Sequence, residues 1–198
     1  MADSNRIRQL LSESGFGDAA IAGIMGNIEV ETGGSFDPQQ KQYSGGPGRG
    51  LFQMESGEGK LDEYQTWLKK TGRTDSDASQ IQFFRDTIYD PSGVKDIVGV
   101  DVVGFGNAEK LRDVFETDDP AKIAEAVSNL WEKPGVPHME RRKEAAAEYM
   151  GAEPEDTTTL LSRLNDAVRG LLDSRDDSRT LTADQQEQFS DLMNRLTK

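Results

Sequence analysis

The chain has 198 residues, with 36 acidic and 23 basic side chains for a formal net charge of −13, one histidine and no cysteine. The length suits one domain plus a small appendage, and recurrent Leu, Ile, Val and aromatic residues exclude wholesale disorder. The charge makes nucleic acid an unfavourable partner, the lack of thiols excludes disulfides and Cys-ligated metals, and a lone imidazole cannot supply a multi-His zinc site.

No apolar run reaches the ~20 residues that cross a bilayer. The opening MADSNRIRQLLSES lacks the apolar core of a secretory signal, so delivery by an assembled apparatus, rather than by general export, is expected. Catalysis rests on carboxylates, hydroxyls and backbone, with no cofactor and no metal.

Helical spacing dominates the chain. Ile7, Leu10 and Leu11 open it, and Ile21, Ile24, Met25 and Ile28 repeat at i, i+3, i+4 and i+7 behind Asp18 as N-cap. A glycine-rich run from Gly33 to Gly50 interrupts the pattern. Its GGPGRG lacks the Gly-Lys-Ser/Thr ending and the preceding strand of a phosphate loop, and reads as a tight turn. Leu61, Tyr64, Trp67 and Leu68 give a helix closed by Gly72; Ile81, Phe84 and Ile88 give another, stopped at Asp90-Pro91 because proline disfavours helix in the residue before it. Ile97 to Phe105, IVGVDVVGF, is β-branched and forms a short strand or an irregular loop.

Leu111, Val114 and Phe115 make a short helix. Asp119-Pro120 supply the N-cap and first position of one that carries Ile123, Val127, Leu130 and Trp131 and ends at Pro134; Pro137 opens the next, which runs to Met150 before Gly151. Beyond it AEPEDTTT is a linker. Leu160, Leu164, Val168, Leu171 and Leu172, then Phe189, Leu192, Met193 and Leu196, describe a helical hairpin. Its acidic turn fails as a calcium loop, since Arg179 falls where glycine is required and Gln185 where a bidentate Glu belongs. The fold class is predominantly α: a helical domain over residues 1–151 with a short β or irregular segment, and a C-terminal hairpin over 152–198 whose apolar face suits docking to a partner.

Glu31 is the candidate acid. It projects within about 20° of Ile24 on a helical wheel, close to the end that Gly33-Gly34 impose, where core meets cleft. A glycosidic bond needs a protonated acid at neutral pH, and partly apolar surroundings keep a carboxyl protonated because desolvation disfavours its charged form. Glu29, two positions earlier and about 160° away, cannot share that pocket on a regular helix. The same spacing also allows Glu31 merely to cap the local turn or to pair with Arg49. No Gly-x-Ser-x-Gly is present, and His138 in PGVPHMERR is a surface or packing residue or a substrate contact, which leaves a Ser/His/Asp hydrolase unsupported. Tyr43, in the loop, either stacks on or hydrogen-bonds a sugar or is simply exposed.

AGIMGNIEVETGGSFDP followed by GRGLFQM resembles the signature of the phage tail lysozyme family, within the lysozyme-like peptidoglycan hydrolases. LWEKPGVPHMERRKEAAAEY is similar to that family's later element, an aromatic-Glu-x-Pro turn before an Arg-bearing helix with a terminal Tyr. The resemblance covers roughly residues 5–150. It implies a lysozyme-like α-helical fold, cleavage of the MurNAc-GlcNAc bond of bacterial peptidoglycan, and a place in a phage tail, with the hairpin meeting tail structural proteins. By position it makes Glu31 the catalytic acid and Gln53, in Gly50-Leu51-Phe52-Gln53, a substrate-positioning residue, with Phe52, Thr32, Tyr43 and Glu132 as further substrate contacts.

This chain departs from the pattern in three places. Thr32 stands where serine is usual, Met54 where an aromatic is frequent, and an extra glycine lengthens the loop before Phe36-Asp37-Pro38. Glu132 either orients the cleft wall or forms a salt bridge to Arg141 or Arg142, while Trp131 and Tyr149 continue helical stripes and belong to the core. The attacking group is water in a muramidase or the substrate's own C6 hydroxyl in a lytic transglycosylase; a second carboxylate, if used, comes from Asp37, Glu55, Glu58 or Asp62. Two other readings compete: a non-enzymatic structural or adaptor protein of a tail or secretion apparatus, and a cell-wall binding module. Glu31 together with Gln53 favours the enzyme over the first, and the absence of repeats argues against the second.

Overall fold

The computed structural model describes residues 4–42, 45–57 and 60–151. Tyr43, Glu58 and the hairpin expected over 152–198 lie outside the described residues. The described chain is all-α: α1 (Ser4–Glu13), α2 (Asp18–Thr32), α3 (Leu61–Thr71), α4 (Asp77–Tyr89), α5 (Pro91–Val98), α6 (Phe105–Phe115), α7 (Pro120–Ala126), a π-helical turn (Val127–Glu132) and α8 (Met139–Gly151). None of these helices is long and apolar enough to cross a membrane.

α2 is the axis of the fold. Residues 19–28 are buried without a break, so the apolar stripe read from the sequence is one side of a helix that is apolar all round, the pattern of a central core helix. Small side chains make that position attainable. A Cβ on Gly26 would lie 2.6 Å from the Arg142 carbonyl oxygen and 2.7 Å from the Ala146 nitrogen, which places the backbone of α8 directly against α2. α7 approaches in the same way, Ile123 Cγ2 lying 2.5 Å from where a Gly23 Cβ would be. α1 adds Ile7, Leu10 and Leu11 to the core.

The helix ends follow their side chains, with two corrections. Ser76 accepts a hydrogen bond from the Ser79 amide at 3.2 Å, and Asp119 one from the Lys122 amide at 3.1 Å, so α4 and α7 start where a capping side chain stands. α2 instead takes Gly17 as its N-cap, and Asp18 lies in its first turn, where a negative charge suits the exposed amides. Asp90-Pro91 stops α4 and also starts α5: Asp90 Oδ1 accepts from the Gly93 amide at 3.0 Å while Pro91 occupies the first position. Ile97 and Val98 therefore close a helix, and the strand allowed for this stretch does not form.

A layer of aromatic side chains joins the π turn to α3, α4 and α6. Phe52 stacks on Phe84 with ring centroids 4.7 Å apart, and Trp131 meets both rings at 5.1 Å while donating its indole N–H to Thr87 Oγ1 at 2.9 Å. The long connection between α2 and α3 is tied by isolated antiparallel bridges, Lys41 with Arg49 and Arg49 with Met54. Gln80, buried in α4, anchors it, accepting from the Leu51 amide (2.8 Å) and donating to the Pro38 carbonyl (2.7 Å).

Gly26 supplies a direct test of the close α2–α8 contact. Alanine is the better helix former by about 1 kcal/mol, yet Gly26→Ala should destabilise the protein by about 1–3 kcal/mol through overpacking. Urea denaturation measures the difference, and a neutral or stabilising outcome would show that the two helices are not in backbone contact.

Candidate active site

The site is assembled where α2 ends. Gly33 takes a left-handed φ of 59° and the Gly34 N–H returns to the Glu29 carbonyl at 2.8 Å, which ends the helix at Thr32, the residue after Glu31, and leaves that carboxylate at its rim. The Glu31 side chain keeps 15% of its surface exposed. Its Oε1 accepts a hydrogen bond from Arg142 Nη2, and its other oxygen has no hydrogen-bond partner among the described residues.

Arg142 is the hub. Its side chain is 1% exposed, and its donors are spread over four acceptors: Nε to the Pro137 carbonyl (2.6 Å), Nη1 to Asn27 Oδ1 (2.6 Å) and to Glu132 Oε2 (2.5 Å), and Nη2 to Glu31. Asn27 is held in turn by donating to the Gly23 and Ala124 carbonyls at 2.9 and 3.1 Å. One guanidinium thus binds the end of α2, the π turn and the start of α8.

Two carboxylates share that one cation, so ionising both would leave a net negative charge in surroundings largely closed to water. Glu132 bears the consequence. Its side chain is 2% exposed, and its Oε1 is buried without a partner. Burial pushes its pKa up to about 8; Arg142 opposes the shift, and the neighbouring Glu31 charge adds to it. Lys60, lying 4.7 Å over the Trp131 ring, is lowered to about 8 by burial and then by Lys133, with Glu132 pulling the other way.

A family model described as phage tail lysozyme matches residues 3–152. The chain belongs to the phage tail lysozyme family. No curated protein and no solved structure matches it. Family membership makes this a lysozyme-like peptidoglycan hydrolase associated with a phage tail, which agrees with the all-α architecture.

The structure distributes this family member's expected site residues unevenly. Glu31 and Glu132 come together on Arg142; Arg49, the other partner considered for Glu31, lies elsewhere, bridged to Lys41 and Met54. Glu132 thus makes the salt bridge to Arg142. Thr32 is fully buried, donating to the Ile28 carbonyl (2.7 Å) and accepting from the Phe36 amide (3.1 Å), and Phe52 is 3% exposed within the aromatic layer. Neither offers a surface to a sugar, which corrects their assignment as substrate contacts: both hold the loop in place.

Gln53 is half-buried in a left-handed conformation, φ 42°, its amide donating to the Gly50 carbonyl at 2.9 Å while its Oε1 is buried without a partner. Asp37 and Asp62 serve local turns, accepting from the Gln39 and Gly57 amides. The carboxylate that shares a partner with Glu31 is Glu132. Trp131 is core, as its spacing indicates, and half-buried Tyr149 donates its hydroxyl to Glu29 at 2.8 Å. Exposed His138 takes no part in the cluster. Of the hub residues, Asn27 carried no assigned role in the sequence and Arg142 only that of a possible partner for Glu132, although the Gly-Asn helix and the Arg-bearing helix were both visible there.

The raised Glu132 carboxyl has a signed consequence. Native protein binds this proton more tightly than the unfolded chain does, so its stabilising contribution is complete below pH 4.5 and is lost as pH rises to about 8. Glu132→Gln should therefore gain on the wild type across that window, by roughly 10 °C in Tm at its upper end; calorimetry at stepped pH reads it, and parallel curves would refute it. Arg142→Ala leaves two carboxylates without their cation and should cost about 3–5 kcal/mol, with denaturant titration as the measure.

Proposed function

We propose that this domain cleaves the glycan strand of peptidoglycan at the MurNAc-GlcNAc bond, with Glu31 as the single general acid and base. The observation that carries the reading is the Glu31–Arg142–Glu132 cluster: two carboxylates around one guanidinium, one facing solvent and one buried. Burial favours the protonated form of Glu132 and so leaves the Arg142 charge to Glu31. Glu31, with one oxygen held by Arg142 and the other open, is the member that meets a glycosidic oxygen. It donates the proton as positive charge builds on the sugar ring, then as carboxylate deprotonates the attacking hydroxyl. Water in that role gives a muramidase; the C6 hydroxyl of the muramic acid gives a lytic transglycosylase.

Gln53 fits the positioning role. A non-glycine residue in a left-handed conformation costs about 1–3 kcal/mol, and such strain is retained where the surrounding structure fixes it at working sites. The segment over 152–198 serves as a docking element for tail structural proteins, on the strength of its amphipathic pattern, and places the enzyme in the virion. The Glu31–Arg142 ion pair also supports a second reading, a non-enzymatic tail protein in which Glu31 is only a structural brace.

Digestion of isolated sacculi separates the two. Glu31→Gln should reduce release of muropeptides at least a thousandfold while the thermal transition stays within a few degrees of the wild type, because the amide still accepts from Arg142. Full activity in this variant would remove Glu31 from the mechanism, and an inactive wild type would support the brace. Mass spectrometry of the products assigns the attacking group: anhydro ends mark transglycosylation and reducing ends mark hydrolysis.

A further inference from the structure

We propose that the groove between the 38–54 loop and α3 is a subsite for a carboxylate of the peptidoglycan stem peptide, gripped by Lys41 and Arg49. The choice of peptidoglycan rests on the function proposed above; the groove's preference for an anion rests on its own geometry. Its volume is about 340 Å³, within the roughly 300–1,000 Å³ of pockets that hold small ligands. Met54, Leu61, Tyr64 and Leu68 give it an apolar floor, and Lys41 and Arg49 stand exposed in its wall.

The two cations face each other across the antiparallel bridge Lys41–Arg49, an arrangement that presents both side chains on one face. Like charges directly opposite are destabilising, and this chain has 36 acidic residues with which to relieve them. Among the described residues neither cation has an ion pair. The acid in the groove wall, Asp75, is already committed: Oδ1 accepts from the Tyr64 hydroxyl (2.8 Å) and Gln80 Nε2 (3.0 Å), and Oδ2 from Gln39 Nε2 (3.2 Å). The loop thus holds two adjacent positive charges, neither in an ion pair among the described residues, beside an acid whose oxygens are occupied by neutral donors. A planar guanidinium fork beside an ammonium matches a carboxylate.

On a glycan strand the carboxylates beyond the sugars belong to the stem peptides. Reach permits the contact, because Pro38 in the groove wall is seven residues after Glu31, a separation of at most about 25 Å even if the intervening chain were fully extended. The apolar floor then receives aliphatic side chains of the peptide.

The test is binding of a free stem tetrapeptide to the full chain, followed by chemical-shift or calorimetric titration. Wild type and Glu31→Gln should bind it alike, with affinity that falls with added salt; the Lys41→Gln/Arg49→Gln pair should lose at least tenfold, each single variant showing an intermediate loss. On sacculi the double variant should raise KM with kcat preserved, and on glycan strands stripped of peptide it should match the wild type. Absence of saturable binding, binding indifferent to both substitutions, or binding of a glycerol-phosphate polymer in place of the peptide would overturn the assignment. Peptide binding by a protein that leaves sacculi intact would refute the proposed cleavage while upholding the subsite.

Discussion

The fold and its candidate chemistry depend on one desolvated guanidinium. Burying Arg142 is costly unless its donors are matched, and the structure matches them with two carboxylates, an amide and a backbone carbonyl drawn from three segments. Removing any acceptor leaves a buried charge with less compensation, so these segments cannot drift independently. The small residues of α2 are part of the same requirement. Without Gly26 the backbone of α8 would stand farther off, and the guanidinium would not span Asn27, Glu31 and Glu132 together.

The arrangement separates two tasks between two similar side chains. Glu132 is enclosed, its carboxyl favouring the protonated form because burial outweighs the attraction of Arg142. Glu31 reaches solvent at the rim. The π turn contributes to this placement: it winds one residue wider than an α-helix, and carries Trp131 into the aromatic layer and Glu132 onto Arg142. Such turns are concentrated at working sites for this reason, since a wider winding re-aims the residues that follow.

Much of this was legible in the sequence, because helix periodicity and capping are local. The stripes of α1, α3, α4 and α7, the Asp119-Pro120 start and the Gly33 stop all depend on residues within one or two turns of one another. The errors share a cause in tertiary context. Asp90-Pro91 is a stop signal for the helix before it and a start signal for the helix after it, and only packing of Val94 shows that α5 forms. Thr32 and Phe52 carry polar and aromatic groups of the kind that bind sugars, but the Thr32 hydroxyl is spent on the nearby Ile28 carbonyl and Phe36 amide, and Phe52 stacks on Phe84 at a separation no spacing rule reaches. Arg142 was visible as a possible salt-bridge partner of Glu132; that it also joins Asn27 and Glu31 depends on a contact across more than a hundred residues, which no periodicity encodes.

That long-range contact bears on the order in which the polypeptide is made. Glu31 emerges early during translation and Arg142 near the end of the domain, so a nascent chain displays the acid long before the cation that orients it exists. The Glu31–Arg142–Glu132 cluster can be completed only after α8 docks, and a ribosome-bound or prematurely terminated product is left with an isolated glutamate at the end of α2.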